Sequence, residues 1–412
     1  MFLLTVCLLV AGLLSSTVGV AQTPSPTCST AISDNPGLVS DCEALLSARD
    51  TLADTGTLNW SAARAMDTWD GITLSGDPSR VTEVNLYHTN LNGTIPSELG
   101  DLTNLETLDL GANELSGTIP PDLGDLTNLK ILELGSNNLS GEIPPELGDL
   151  DNLESLELGF NDLSGEIPPD LGDLTNLESL DLRFTGLSGE IPPDLGNLTN
   201  LERLFLGHNR GLKGPIPSDL GDLTNLKVLD LRFTALSGTT IPPELGNLTN
   251  LTWLDLGDSG LGGKIPPDLG KLTNLEWLFL DDNDLSGPIP PELGNLTNLE
   301  MLFLDDNDLS GPIPPELGKL TNLIWLNLSG NDLCIPADHQ EEDFFRDLDF
   351  PICDDAEPTL TIAVSPDTTV AYTEEVTLTA QVPESWQVDA YRWSHVGGVS
   401  QFGQLGIADP GG

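Results

Sequence analysis

Residues 105–128 read LETLDLGANELSGTIPPDLGDLTN, and this stretch decides the fold because it recurs with few changes through the middle of the chain. Most copies have 24 residues, the sixth and seventh have 25, and the eleventh is cut short at Cys334. Self-similarity at such a period predicts a solenoid, in which each unit buries its apolar face only against its neighbours. The units begin at Val81, Leu105, Leu129, Leu153, Leu177, Leu201, Leu226, Leu251, Leu275, Leu299 and Leu323.

The repeated letters predict the shape of each unit. The pattern Leu-x-Leu, as at Leu108 and Leu110, puts two leucines on one face of a short strand. Stacked units therefore form a parallel sheet with strands about 4.8 Å apart and a continuous leucine core. Asn113, Asn137 and Asn161 are placed to satisfy backbone groups where each strand turns. The Pro-Pro pair excludes a long helix on the opposite side, which we expect to be extended or 3₁₀.

The motif Leu-Ser-Gly-x-Ile-Pro-Pro-x-Leu-Gly resembles the plant-type leucine-rich repeats of receptor kinases and polygalacturonase-inhibiting proteins. The resemblance covers residues 81–333. It implies an α/β-type solenoid: a leucine-rich-repeat superhelix of about eleven units with a parallel concave sheet. It also implies a second, small sheet near the Leu-Ser-Gly segment. Because the family binds peptides, proteins and glycans, the resemblance specifies the fold far better than the partner.

The first 21 residues predict a signal peptide. Phe2–Leu14 is nearly all apolar, and Gly19–Ala21 supplies small residues for cleavage. An uncleaved anchor is the alternative, since no Lys or Arg precedes the apolar run. The predicted organisation is 1–21 signal peptide, 22–80 N-terminal cap, 81–333 leucine-rich repeats, 334–356 C-terminal cap, and 357–412 a partial immunoglobulin-like β domain.

The two ends of the array carry the features of caps. Ser40–Glu43 predicts a capping box at the start of a helix whose Leu45, Ala48 and Leu52 share one face. The last segment, 357–412, has β-branched alternating runs but is too short for a complete β-sandwich. Because its final residues carry no cap or anchor, we expect the chain to be a fragment of a longer protein or the product of a reading frame that stops early.

Four cysteines remain after the signal peptide, and an even number in a secreted chain predicts disulfides. Because the repeats separate the cysteines into two pairs, we expect the local pairing Cys28–Cys42 and Cys334–Cys353. Four buried free thiols are the alternative.

Composition excludes several classes of function. The 65 acidic and 15 basic residues give a formal charge of −50, which repels nucleic acid and anionic membranes. After the signal peptide no segment is apolar enough to insert into a bilayer. The four histidines fall in different regions, and no nucleophile, zinc or phosphate-loop spacing occurs. We therefore expect a secreted or cell-surface protein that is not an enzyme and needs no cofactor.

Function in this fold usually lies on the strand positions that point away from the leucines, which are positions three, five, seven and eight of each unit. In the C-terminal half these positions are aromatic or apolar, and an exposed patch of this kind marks a binding site. Packing of the rings on one another is the alternative. The predicted partner-binding residues are Trp253, Trp277, Trp325, Met301, Phe205, Phe279, Phe303, Asp281 and Asp305.

Carboxylates occupy position five in the N-terminal half, at Asp109, Glu133, Glu157 and Asp181. Stacking at rung spacing makes them repel one another, so a basic ligand, a divalent ion or salt is expected as counter-charge. Paired carboxylates on neighbouring rungs have the chemistry for Ca²⁺, but a solvated acidic face is the favoured interpretation. Position eight carries Phe160, Phe184 and Phe233, which are interpreted as repeat duplication or added contacts.

Three functional hypotheses follow. The first is an extracellular recognition module that binds a protein or glycan on the concave face. The second is a structural spacer or adhesin segment of a larger cell-surface protein, favoured by the β-rich tail. The third and weakest is ice binding by a flat face, because the threonines that would form such a face look irregular.

Overall fold

The computed structural model describes residues 28, 34–53, 57–340, 342–346 and 348–353. The predicted signal peptide and the predicted β domain at 357–412 lie outside these residues. Among the described residues, no helix combines the length and the apolar character needed to cross a membrane.

A sheet of twelve strands lines one side of the solenoid, and its neighbours follow chain order. All pairings are parallel except the first, where Ile72–Ser75 and Arg80–Asn85 form an antiparallel hairpin. Its strands are Ile72–Ser75, Arg80–Asn85, Thr107–Asp109, Ile131–Glu133, Ser155–Glu157, Ser179–Asp181, Arg203–Phe205, Val228–Asp230, Trp253–Asp255, Trp277–Phe279, Met301–Phe303 and Trp325–Asn327. The long parallel sheet predicted from the Leu-x-Leu pattern is confirmed.

Beside this sheet run three short parallel sheets at the Leu-Ser-Gly segment, where the resemblance implied one. One of the two breaks between them, at residues 213–261, includes the second 25-residue unit. The first contains Ser116–Gly117, Asn138–Gly141 and Asp162–Leu163; the second Ser188–Gly189 and Gly211–Leu212; the third Gly262–Gly263, Asp284–Gly287, Asp308–Pro312 and Asp332–Cys334.

The opposite side consists of short 3₁₀ turns, as the proline pairs predict. Proline supplies the first turn residue in most units, since its fixed φ suits a helix start and its missing N–H is not needed there. The turns are Met66–Thr68, Ser97–Asp101, Pro121–Asp125, Pro145–Asp149, Pro169–Asp173, Pro193–Asn197, Ser218–Asp222, Pro243–Asn247, Pro267–Lys271, Pro291–Asn295 and Pro315–Lys319.

The core is one column of leucines with an asparagine ladder beside it. Leu108 and Leu110 are fully buried, as are their equivalents on the following rungs up to Leu304, whereas Leu326 on the last rung is partly buried. Asn161 shows the ladder: its Nδ2 donates to the Leu158 and Leu134 carbonyls at 2.9 and 3.1 Å. Its Oδ1 accepts from the Leu139 N–H at 2.9 Å. Each rung is therefore tied to its neighbours by a buried side chain as well as by sheet pairing.

The N-terminal helix spans Pro36–Leu52, and Asn35 caps it by accepting the Leu38 N–H at 3.1 Å. The capping box expected at Ser40–Glu43 is therefore wrong, because the residue that caps the helix is Asn35, five residues before Ser40. Asp41, placed in that box, is buried and binds Arg80 through two hydrogen bonds of 2.7 and 2.8 Å.

The disulfides join Cys28 to Cys42 and Cys334 to Cys353, as predicted. At the far end, a short helix at Asp343–Arg346 carries Phe345, whose side chain is buried. Each end of the leucine column is thereby held by a disulfide-bonded segment.

Candidate functional site: the concave sheet

The concave sheet brings most of the predicted partner-binding residues onto adjacent rungs. The strand register aligns one column of residues along successive rungs: Trp253, Trp277, Met301 and Trp325. Asp255, Phe279, Phe303 and Asn327 pair along the next column. We call Trp253, Trp277, Phe279, Met301, Phe303 and Trp325 the aromatic patch.

Within the aromatic patch the rings pack partly on one another. Trp253 meets Trp277 edge to face at 4.5 Å between ring centroids, and Phe279 lies 5.3 Å from Phe303. These four side chains are half-buried, whereas Trp325 is 60% exposed. The indole Nε1 atoms of Trp253 and Trp277 are buried and have no hydrogen-bond partner within the described part of the chain. The patch therefore combines packed rings with unpaired donors.

Phe205 does not join this patch. It occupies position five between Asp181 and Asp230 in the register, and the Arg183 guanidinium lies 4.3 Å from its ring centroid. Its neighbours are charged, so Phe205 belongs to the middle of the sheet.

Asp281 and Asp305 lie next to the aromatic patch at position seven. Burial is the main cause that raises the pKa of both carboxyl groups. The Asp305 Oδ1 atom is buried without a hydrogen-bond partner in the described residues. No group of three or more His, Cys, Asp or Glu side chains within those residues is arranged to hold a metal ion. The calcium hypothesis therefore gains no support from this geometry.

The position-five carboxylates are more buried than a solvated acidic face allows. Asp109, Asp181, Asp230 and Asp255 are each at most 8% exposed. Burial, together with repulsion from neighbouring carboxylates, raises the pKa of Glu157 and of Asp255 to about 7. The expectation of a solvated column is wrong at these positions, because the neighbouring rungs cover them.

Position eight forms a stack of rings at left-handed backbone angles. Phe160, Phe184, His208 and Phe233 have φ between 52° and 61°. Their ring centroids follow one another at 4.6, 3.7 and 4.5 Å. Bulky residues are uncommon at such φ values, so contacts must compensate the strain. The three phenylalanines predicted to add contacts therefore stack together with His208, which was not predicted to take part.

A notch opens in the N-terminal half of the sheet, where position seven is glycine on three successive rungs. We call the cavity above Gly111, Gly135 and Gly159 the glycine notch; its volume is about 330 Å³. Tyr87 stands at one end and Phe160 at the other, and they are 59% and 46% exposed. Glu133, Glu157 and Asp181 line its side.

A rigid concave sheet with side chains projecting from regular rungs defines the class of leucine-rich-repeat solenoids. Two repeat families match the chain: a "Leucine-rich repeat region" over residues 218–348, and "Leucine Rich Repeat" over 104–126, 128–150, 152–174 and 176–198. The chain belongs to the leucine-rich-repeat proteins of the plant type, and its repeats resemble receptor-kinase ectodomains. No curated protein matches the chain significantly.

Solved structures agree with this assignment. A TDR receptor is 36% identical with a TM-score of 0.59; the match covers 61% of this chain and 43% of the receptor. The Arabidopsis receptor kinase HAESA, solved with a peptide hormone and a co-receptor, is 35% identical with a TM-score of 0.59, covering 71% and 54%. A plant ice-binding protein is 28% identical with a TM-score of 0.56, covering 78% and 99%. The chain thus spans about half the length of these two receptor chains.

Proposed function

We propose that the chain is a non-catalytic extracellular recognition module that binds an extended peptide segment of a protein partner along the aromatic patch. The observation that carries this proposal is the set of unpaired polar atoms among the rings. Two indole N–H donors and one carboxylate oxygen are buried without partners in the described residues. Buried polar groups are normally paired, so their chemistry calls for a ligand that supplies both acceptors and donors.

A peptide backbone meets that requirement. Once the half-buried side chains shift to admit it, its carbonyl groups can accept from Trp253 and Trp277, and its N–H groups can donate to Asp305. Flat rings add contact area at small conformational cost, which makes tryptophan a frequent energetic centre of interfaces. Trp325 supplies the most exposed ring of the patch. The solved HAESA complex with a peptide hormone supports the choice of a peptide over a glycan.

Packing of the rings for stability alone does not account for the patch. The leucine column already fills the interior of the rungs, and its leucines are almost fully buried except on the last rung, where Leu323 and Leu326 are partly buried. The rings lie on the other face of the sheet, outside that core.

The experiment is a selection of binders from a displayed random-peptide library, followed by affinity measurements on purified variants. Trp325→Ala and Trp277→Ala are expected to weaken selected peptides by at least about tenfold each, the range of an interface hot spot. Thr199→Ala, on the outer edge of the solenoid, is the control and should leave affinity unchanged. Circular dichroism checks that each variant stays folded.

The proposal fails if the selected peptides bind the two tryptophan variants as tightly as the unaltered chain. The same result, with no concave-face variant affecting any peptide, would favour the spacer or adhesin hypothesis. In that case the solenoid would act through its length and through the domains attached to it.

Ice binding is a second candidate because threonines recur in one row along the outer edge. Nine exposed threonines occupy equivalent places after the 3₁₀ turns, in a row that Asp151 interrupts once. The outer row is fixed by asparagines; for example, the Asn225 Nδ2 donates to the Thr199 carbonyl at 2.8 Å. The row contains Thr103, Thr127, Thr175, Thr199, Thr224, Thr249, Thr273, Thr297 and Thr321.

The likeness to a plant ice-binding protein is the second support for this candidate. Growth of an ice crystal in a solution of the protein provides the test. Faceted crystals and a gap between melting and freezing points, both lost in Thr199→Lys, would establish it. Round crystals with no such gap would dispose of it.

A further inference from the structure

The glycine notch contains one carboxylate, that of Glu133, without an internal counter-charge. The Glu133 carboxylate makes no hydrogen bond or ion pair within the described part of the chain, and the Glu157 carboxylate accepts a hydrogen bond from the Ser179 hydroxyl at 3.1 Å. Asp181, at the edge of the notch, is paired with Arg183. Burial and repulsion from Asp109 raise the pKa of Glu133. The notch is also concave and bounded by two exposed aromatic rings, so it is more than an acidic surface.

Two other rungs of the same sheet show what fills this position elsewhere. Position seven carries Arg183 on the rung after the notch, and its Nε lies 2.9 Å from the Asp181 carboxylate. Arg232 occupies position seven two rungs further on, and its Nη1 lies 3.5 Å from the Asp255 carboxylate. Wherever an arginine stands at position seven, it contacts a position-five carboxylate.

The same arginines also contact aromatic rings. The Arg183 guanidinium lies 4.3 Å from the Phe205 ring centroid, and that of Arg232 lies 4.6 Å from the Phe233 ring centroid. A planar guanidinium both pairs with a carboxylate and stacks on a ring, which an ammonium group does less well. The notch offers the same two kinds of contact, with glycine in place of the arginine.

We propose that the glycine notch is a subsite for a guanidinium group, supplied by an arginine side chain of the partner. The partner's arginine would lie over Gly135, between Tyr87 and Phe160, and pair with Glu133 and Glu157. A cavity of about 330 Å³ is at the small end of ligand pockets and suits one side chain. This inference depends on the proposed function in one respect: the arginine is taken to belong to a peptide segment of the partner.

Glycine at position seven is what keeps the cavity open. The three glycines span two rung spacings, or about 10 Å at about 4.8 Å per rung. A Cβ at Gly135 would make one tight contact, with the Gly159 carbonyl oxygen at 3.2 Å, and ordinary contacts with the Glu157 carbonyl oxygen and the Gly159 nitrogen. Gly135 therefore tolerates a side chain with a small adjustment, and that side chain would occupy the cavity.

The test measures binding of the blocked tripeptide acetyl-Gly-Arg-Gly-amide to the full chain by ligand-observed NMR. The neutral isostere with citrulline in place of arginine is the matched control, and the lysine tripeptide tests the preference for guanidinium. Binding is expected for the arginine peptide, at least tenfold weaker binding for citrulline, and weaker binding for lysine. Equal affinity of all three peptides would overturn the proposal, and equal affinity of arginine and lysine would overturn its guanidinium part.

Variants locate the site. Glu157→Gln is expected to weaken the arginine peptide by about tenfold, in line with the loss of a charge-assisted hydrogen bond. Asp282→Asn removes an exposed acid at position eight, outside the notch, and should have no effect. If Asp282→Asn weakens binding as much as Glu157→Gln, general charge attraction explains the result and the notch is not the site.

The variant Gly135→Arg places a guanidinium group of the protein itself in the glycine notch. It therefore provides a second, independent test of the proposal. This variant should abolish binding of the arginine peptide while raising the melting temperature, as it neutralises Glu133 and Glu157. Gly135→Ala should retain binding. A Gly135→Arg variant that melts lower than the unaltered chain and still binds the peptide would refute the proposal.

The outcomes separate this subsite from the proposed function. If the arginine peptide fails to bind, but library-selected peptides still depend on Trp277 and Trp325, only the subsite is wrong. If the arginine peptide binds in the notch, but no selected peptide depends on the aromatic patch, only the proposed function is wrong.

Discussion

Replacing the buried Asp255 by asparagine should make the protein more stable at pH 8. Burial raises the pKa of Asp255 to about 7, against an ordinary value of 3.8. At about 1.4 kcal/mol for each pH unit, ionised Asp255 costs the folded state about 4 kcal/mol at pH 8. Asparagine removes that cost and keeps the hydrogen bond that the Asp255 Oδ1 accepts from the Gly257 N–H at 3.1 Å.

The attraction of Arg232 is already contained in the Asp255 pKa of about 7, because it lowers that pKa against the effect of burial. The Arg232 side chain is 39% exposed and therefore regains water when its partner is removed. The expected net gain in the free energy of unfolding is about 2–4 kcal/mol at pH 8. A carboxyl whose pKa rises on folding gives its full stabilisation below its ordinary pKa and loses it as the pH rises to the folded value. Stability of the unaltered chain should therefore fall between pH 4 and pH 8, and Asp255→Asn should flatten that slope.

Urea unfolding, followed by circular dichroism at several pH values, measures both effects without adding salt. Asp268→Asn is the control, because Asp268 is partly exposed and its pKa is lowered by a hydrogen bond from Lys271. No gain at pH 8 is expected from that variant. An Asp255→Asn midpoint at or below that of the unaltered chain at pH 8, with no slope between pH 4 and 8, would refute the reasoning.

Three further predictions concern stability. The melting temperature should rise by several degrees between 0.01 and 1 M NaCl, because the Debye length falls from about 30 to 3 Å. Millimolar Ca²⁺ at constant ionic strength should add nothing to this rise. A melting temperature that does not change with salt would count against uncompensated repulsion between the carboxylates. Asn161→Ala should lower the free energy of unfolding by about 3 kcal/mol, as it leaves the buried Leu139 N–H unpaired; a urea midpoint within error of the unaltered chain would contradict the ladder's role. Replacing Cys334 and Cys353 by alanine should cost about 3 kcal/mol for the 19-residue separation; hydrogen exchange that leaves the last rung as protected as before would show that the disulfide is not needed there.

The fold was predictable from the sequence because one period dictates every rung. Leucine spacing predicts the sheet, the proline pairs predict the 3₁₀ turns, and the position of the cysteines predicts both disulfides. The start of the N-terminal helix was not predictable in this way. Ser40–Glu43 has the pattern of a capping box, but Asn35 caps the helix and Pro36 is its first residue.

The candidate site was only partly predictable. The columns of the aromatic patch follow directly from register, but burial depends on how closely adjacent rungs cover a side chain. The sequence alone therefore predicts that Asp255 and Asp109 are exposed to solvent, whereas both are buried in the sheet. Glycine at positions 111, 135 and 159 is visible in the sequence, yet its meaning depends on Tyr87 and Phe160 standing at the two ends.

The central claim is that the concave sheet receives the partner, and a crosslinking footprint tests it most directly. The tightest library-selected peptide would carry a benzophenone, which reacts preferentially with methionine side chains, and mass spectrometry would locate the adducts. Met301 lies in the aromatic patch between Trp277 and Trp325. We expect adducts on Met301 and on the neighbouring concave strands, and we expect unlabelled peptide to prevent their formation by competition. Adducts confined to the 3₁₀ turns or to the terminal segments would contradict it.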